Sequence, residues 1–128
     1  MNQVLIVDDS TMARALVKRS LEVCGYDNLE ISEAFNGVNA LEKLREKSFD
    51  IVFSDLNMPE MGGEALLKRI KSSPRLNHIP VVIISSKTNA ATERKLISDH
   101  ADAVLAKPLN LPDLNSVLEK SLSLQKEV

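Results

Sequence analysis

The chain has 128 residues, 44% of them hydrophobic and 27% charged, with a formal net charge of −2. That length suits one globular domain with a real core, and the slight acidity excludes nucleic-acid binding driven by bulk charge. Cys24 is the single cysteine, so an internal disulfide is excluded and a core position in a reducing compartment is expected.

The longest strongly apolar run, Val81–Ile84, is too short to span a bilayer. A strand-like segment follows Met1 almost at once, leaving no room for a signal peptide, so a cytoplasmic location is expected. Val4–Val7 reads as the first strand. From about Thr11 to Cys24, helical spacing puts Ala13, Leu16, Val17, Leu21 and Cys24 on one face, and Gly25 stops the helix. Leu29–Ala34 is a weaker strand, with Leu29 and Ile31 alternating against charged residues, which suits a sheet edge. Asn36–Gly37 is a break; Ala40, Leu41 and Leu44 then mark a second helix ending near Lys47. Ile51–Ser54 is the third strand, and a helix from Gly63 to Ser72 buries Leu66, Leu67 and Ile70.

Pro74 to Pro80 connects to Val81–Ser85, a Val/Ile strand for the sheet centre. The helix from Thr88 to His100 has few large apolar residues and is expected to be the least firmly held. Ala103–Ala106 is the fifth strand. Lys107–Pro108 interrupts the chain, and Pro112 suits the first turn of a last helix with Leu114, Val117, Leu118 and Leu122 inward. Five βα units without repeat or linker predict a doubly wound α/β domain spanning residues 1–128, with right-handed crossovers.

The chemistry centres on residues 51–63, IVFSDLNMPEMGG, where an apolar run leads into Asp55 and then a loop with Pro59, Gly62 and Gly63. Open α/β sheets bind ligands beyond the carboxyl ends of their strands. The first strand ends VLIVDDS, which brings Asp8 and Asp9 to the same edge if the two strands are neighbours. Carboxylates about 4 Å apart repel by about 4 kcal/mol at an effective dielectric of about 20. Such a cluster needs a cation or raised pKa values, and all-oxygen donors suit Mg²⁺. An Asp–Asp pair alone is ordinarily a solvated turn. Ser85 and Lys107, at the ends of the fourth and fifth strands, change the weighting. Acid, acid, hydroxyl and ammonium on one edge suit a phosphoryl group carried by a carboxylate nucleophile.

With VDDS at 7–10, SDLNMPEMGG at 54–63, IPVVIISS at 79–86 and AKP at 106–108, the chain resembles the receiver domain of two-component response regulators. The resemblance covers essentially the whole sequence and is to single-domain receivers related to the chemotaxis regulator. It implies a flavodoxin-like, five-stranded parallel sheet in the order 2-1-3-4-5. It implies that Asp55 takes a phosphoryl group from a phosphohistidine of a sensor histidine kinase or histidine phosphotransfer protein. Asp9 and Asp55 match direct Mg²⁺ ligands, Asp8 a largely water-mediated one, and Asn57 a ligand through its backbone carbonyl. Lys107 matches the lysine that pairs with the phosphoryl oxygens, Ser85 the switch hydroxyl, and Ser86 the small residue beside it. The Lys107–Pro108 bond is expected to be cis. The implied protein is a switch that catalyses only its own phosphorylation and dephosphorylation and signals to a downstream effector protein. Neither direct nucleic-acid contact nor membrane insertion is expected.

The pattern departs from the family at Val104, where an aromatic residue often couples to the switch hydroxyl; a β-branched side chain has few rotamers and no ring to bury. Asn57 and Lys87, two residues beyond Asp55 and Ser85, match positions that tune water attack on the acyl phosphate. His78, His100, Met12, Met58 and Met61 read as ordinary loop and packing residues. A haloacid-dehalogenase-like phosphatase would carry a second Asp where Asn57 stands. A dinucleotide site would need glycines after the first strand, and residues 8–13 contain none. A degenerate receiver serving only as a binding module would have lost part of the acid, hydroxyl and lysine set.

Overall fold

The computed structural model describes residues 2–26, 28–86 and 89–121. Short apolar runs form the strands β1 (Asn2–Val7), β2 (Leu29–Ala34), β3 (Ile51–Asp55), β4 (Val81–Ser85) and β5 (Ala103–Ala106). They alternate with the helices α1 (Thr11–Val23), α2 (Gly37–Glu46), α3 (Gly63–Lys71), α4 (Ala90–Ser98) and α5 (Leu111–Ser121). All neighbouring strands pair in parallel, in the order β2-β1-β3-β4-β5. This is the expected flavodoxin-like, doubly wound sheet, with the weak strand β2 at an edge.

Alternate residues of each strand face opposite helical layers. Leu5, Val7, Val52, Val81 and Ile83 pack with Leu44, Leu66, Leu67, Ile70 and Leu96 from α2, α3 and α4. Val4, Ile6, Ile51, Phe53, Val82 and Ile84 pack with Val17, Leu21, Leu114 and Leu118 from α1 and α5. Because both faces are covered, the central strands carry unbroken apolar runs, Val4–Val7, Ile51–Phe53 and Val81–Ile84, rather than alternating.

Helix α1 departs from its expected face at two residues. Leu16 is 62% exposed: the buried stripe is Val17 and Leu21, and Leu16 lies about 100° round the helix from Val17. Cys24 is half-buried rather than core, because it caps the helix after Val23. Gly25 then takes φ 93, the left-handed turn that glycine adopts most readily. Helix α2 begins at Gly37, earlier than its apolar pattern suggests, because the Asn36 side chain accepts the Asn39 N–H and caps it. Asn89 caps α4 in the same way, and Leu96 is the buried residue of that helix, in keeping with its weakly apolar sequence. Pro112 lies in the first turn of α5, with Leu114 and Leu118 buried and Val117 partly so. Lys87, Thr88 and Leu122 lie outside the described residues. Among the described residues, no helix is long and apolar enough to cross a membrane.

Candidate functional site

The register aligns the carboxyl ends of the strands: Val7 pairs with Ser54, Asp55 with Ile84, and Ser85 with Ala106. Asp8, Asp55, Ser85 and Lys107 therefore end or directly follow four adjacent strands. Asp8 is buried; its N–H donates to the Ala34 carbonyl at 3.0 Å, and its Oδ1 accepts the Ser10 N–H at 2.9 Å. Asp9 is exposed on the turn into α1, and Asp55 is half-buried. These three residues each offer a carboxylate oxygen within 4.8 Å of the others. The single crevice expected of Asp8, Asp9 and Asp55 is present.

Lys107 spans two of these acids. Its Nζ donates to Asp8 Oδ2 and to Asp55 Oδ1, both at 3.0 Å. Its backbone N–H donates to the Ser85 carbonyl at 3.0 Å, and the Lys107–Pro108 bond is cis. Ser85 is buried at the end of β4. Burial raises the Asp55 pKa above the usual carboxylate value; the Lys107 hydrogen bond opposes this, and the charge of Asp8 adds to it. For Lys107, burial works against the ammonium, but hydrogen bonds to Asp8 and Asp55 outweigh it and raise the pKa.

The loop after β3 folds hard against the strand it leaves. Gly63 N–H donates to the Leu56 carbonyl at 2.8 Å, and a Cβ on Gly63 would lie 2.2 Å from the Asp55 carbonyl oxygen. Only glycine allows that approach. The Met61 carbonyl accepts the Gly37 N–H at 2.9 Å, tying the loop to the start of α2. Asn57 is exposed on this loop, and Ser86 is exposed just past Ser85. Val104 is partly buried and packs against the cluster that contains Leu96. His78 and His100 are exposed, and both lie in segments entering the amino ends of strands, at the opposite edge from the acids. Met58 and Met61 pack against the core, while Met12 is 75% exposed.

One residue at the site was not singled out from the sequence. Arg14, in the second turn of α1, donates from Nη1 to the Asp8 carbonyl at 2.6 Å and from Nε to Glu33 Oε1 at 2.9 Å. Its only sequence signal is a cation one turn after the acid pair, and its partner Glu33 is identified only once β2 is known to lie beside β1.

Three carboxylates at a half-open mouth form an all-oxygen donor set that fits a hard divalent cation such as Mg²⁺. Next to it stands a buried hydroxyl and a lysine already within hydrogen-bond reach of two of the acids. This arrangement can neutralise an anion added at Asp55.

The family model of the response regulator receiver domain matches residues 4–119. The chain is 34% identical to chemotaxis protein CheY-3 of Vibrio cholerae over 118 residues, covering 92% of this chain and 89% of that protein. It is 35% identical to the gliding motility regulatory protein of Myxococcus xanthus over 105 residues, which is 82% of this chain but only 13% of that protein. The structure of the chemotaxis response regulator CheY4 of Vibrio cholerae superposes with a TM-score of 0.81 at 31% identity, covering 95% of this chain and 99% of that one.

Proposed function

The chain belongs to the response regulator receiver family, and from that premise we propose that Asp55 is its phosphoacceptor. The donor is a phosphohistidine of a sensor histidine kinase or histidine phosphotransfer protein. A carboxylate oxygen of Asp55 attacks phosphorus in line, the P–N bond breaks, and its electron pair returns to the imidazole of the donor. The observation that carries this reading is Lys107 Nζ, 3.0 Å from both Asp8 and Asp55 at the mouth of the acid cluster. Its ammonium stands where charge develops on the equatorial phosphoryl oxygens. The Ser85 hydroxyl, at the end of the next strand, is the further donor to the phosphoryl group. Asp8, Asp9 and Asp55, with the Asn57 carbonyl, would hold Mg²⁺, which supplies charge neutralisation on the same oxygens.

The complete set of acids, hydroxyl and lysine favours a working switch over a degenerate receiver that only binds partners. The chain catalyses its own phosphorylation and hydrolysis and has no external substrate. Exposed Met12 and Leu16 on α1, with Pro108 nearby, offer the donor protein an apolar footing beside the site. The output goes to a downstream effector protein through the α4–β5–α5 side, in the cytoplasm.

The test is incubation with acetyl phosphate and Mg²⁺. One acid-stable, base-labile phosphoryl group should appear at Asp55, and Asp55→Asn should abolish it. Undiminished labelling of that variant refutes the assignment.

A further inference from the structure

The backbone of Asp8 is held on both sides. The Asp8 N–H is bound by the end of β2 through the Ala34 carbonyl at 3.0 Å. The Asp8 carbonyl, which belongs to the Asp8–Asp9 peptide itself, accepts Nη1 of Arg14 at 2.6 Å. The Arg14 side chain is only 14% exposed, and each of its three nitrogens has a partner: Asp8 O, Glu33 Oε1 at 2.9 Å and Thr11 Oγ1 at 3.2 Å. Glu33 is on β2 and is also approached by Lys18 Nζ at 3.8 Å.

The geometry fixes what this fork can do. Asp9 is exposed, so the packing of its own side chain does not aim it. Its carboxylate is aimed by the peptide from which it hangs. Turning the plane of the Asp8–Asp9 peptide swings the Asp9 Cα and carries the carboxylate out of the cluster. A planar guanidinium holding a carbonyl with one nitrogen and a carboxylate with another resists that rotation, whereas an ammonium on a flexible stem has no such rigid fork.

We propose that Arg14, braced by Glu33, is a positioning residue that aims Asp9 into the acid cluster and thereby sets its affinity for a divalent cation. The inference rests on reading that cluster as the Mg²⁺ site. Charge alone gives the opposite sign: removing a cation beside a cation site tightens metal binding. Loss of positioning weakens it, and changes to groups that orient metal ligands typically cost 10–100-fold in affinity.

The experiment is calorimetric titration of the full chain with Mg²⁺, for wild type, Arg14→Ala, Arg14→Lys, Glu33→Gln and the surface control Arg19→Ala. Arg14→Ala should lose about tenfold in affinity. Glu33→Gln should lose less, Arg14→Lys should recover part of the loss, and Arg19→Ala should match wild type. In acetyl phosphate labelling, the Mg²⁺ concentration for half-maximal rate should rise in Arg14→Ala while the rate at saturating Mg²⁺ stays within about twofold of wild type, because the affinity loss sits on an orienting group. Should Arg14→Ala fail to fold in a melt with chelator, Arg14→Lys and Glu33→Gln carry the same test. Wild type binding Mg²⁺ while the variants bind it equally or more tightly overturns the positioning role alone. Wild type that neither binds Mg²⁺ nor labels overturns the cation site and this inference with it.

Discussion

The acid cluster makes a prediction whose sign depends on where Lys107 sits. Carboxylate oxygens of Asp8, Asp9 and Asp55 lie within 4.8 Å of one another, so each like pair repels by about 3.5 kcal/mol at an effective dielectric of about 20. Each 3.0 Å contact of Lys107, to Asp8 and to Asp55, attracts by about 5.5 kcal/mol on the same scale. Replacing Asp55 by Asn deletes two repulsions and one attraction, which nearly cancel. Replacing Asp9 by Asn deletes two repulsions, and the ammonium keeps both of its partners. Asp9 is exposed, so solvent screening reduces each repulsion to about 1 kcal/mol. Asp9→Asn should therefore stabilise the metal-free protein by about 2 kcal/mol. At about 4 °C per kcal/mol for a chain of this length, the melting temperature should rise by about 8 °C. Lys107→Met should move it the other way, because it leaves buried Asp8 unpaired. Adding Mg²⁺ at ten times its Kd should stabilise wild type by about 1.4 kcal/mol, and Asp9→Asn should show little of that gain. The assay is thermal melting of wild type, Asp9→Asn, Asp55→Asn and Lys107→Met, each with chelator and with Mg²⁺. Asp9→Asn melting at or below wild type in chelator, with its Mg²⁺ response intact, would refute both the repulsion and the metal site.

Three further outcomes are expected. Burial holds the Asp55 pKa above its ordinary value of 3.8 despite Lys107; the folded state therefore binds that proton more tightly, and metal-free stability should fall as pH rises from 3.8 through the raised value. Chemical denaturation across that window should show a shallower fall in Asp55→Asn than in wild type. Gly63→Ala places a methyl 2.2 Å from the Asp55 carbonyl oxygen, so it should cost about 1–3 kcal/mol in a denaturant titration and slow labelling at Asp55. Leu96→Ala removes the buried anchor of α4 and should cost about 2–5 kcal/mol, with amide exchange rising most in α4.

The sheet was legible because its strands are covered on both faces. Val81–Ile84 and Ile51–Phe53 are apolar without interruption, and that pattern at this length belongs to central parallel strands. The site was legible because its residues end those strands, so naming the strand ends named Asp8, Asp55, Ser85 and Lys107 together. What stayed hidden depends on angle and on neighbours distant in sequence. Leu16 shares the helical pattern of Val17 and Leu21, yet only the seating of α1 on the sheet decides that it faces out. Asn36 looked like a break and is a helix cap, because its role rests on a hydrogen bond to Asn39. Arg14 had no readable role, since its charged partner Glu33 is assigned by the β1–β2 pairing and its carbonyl partner Asp8 by the angle at which α1 leaves β1. Likewise Gly63 read as a loop glycine, and only the close approach of the Asp55 carbonyl explains why no larger residue fits.

On the proposed chemistry, the resting site limits how the switch can be thrown. Lys107 is already engaged by Asp8 and Asp55, so a phosphoryl group gains only the difference between its own attraction for the ammonium and that of the carboxylates it displaces. Shifting a two-state equilibrium from 1:99 to 99:1 takes about 5.5 kcal/mol of differential binding. A charge-assisted hydrogen bond contributes about 1.5–3 kcal/mol before that subtraction. Lys107 alone therefore falls short, and further groups must favour the phosphorylated state. Ser85 fits that requirement: it ends β4, and its carbonyl accepts the Lys107 N–H at 3.0 Å, so a shift of Ser85 toward the phosphoryl group pulls on the end of β5. With Val104 in place of a ring, the path onward is packing: Val104 lies against the cluster that includes Leu96, the buried anchor of α4. A strand shift at Ser85 thus reaches the most weakly anchored helix through contacts already formed, without an aromatic side chain changing rotamer.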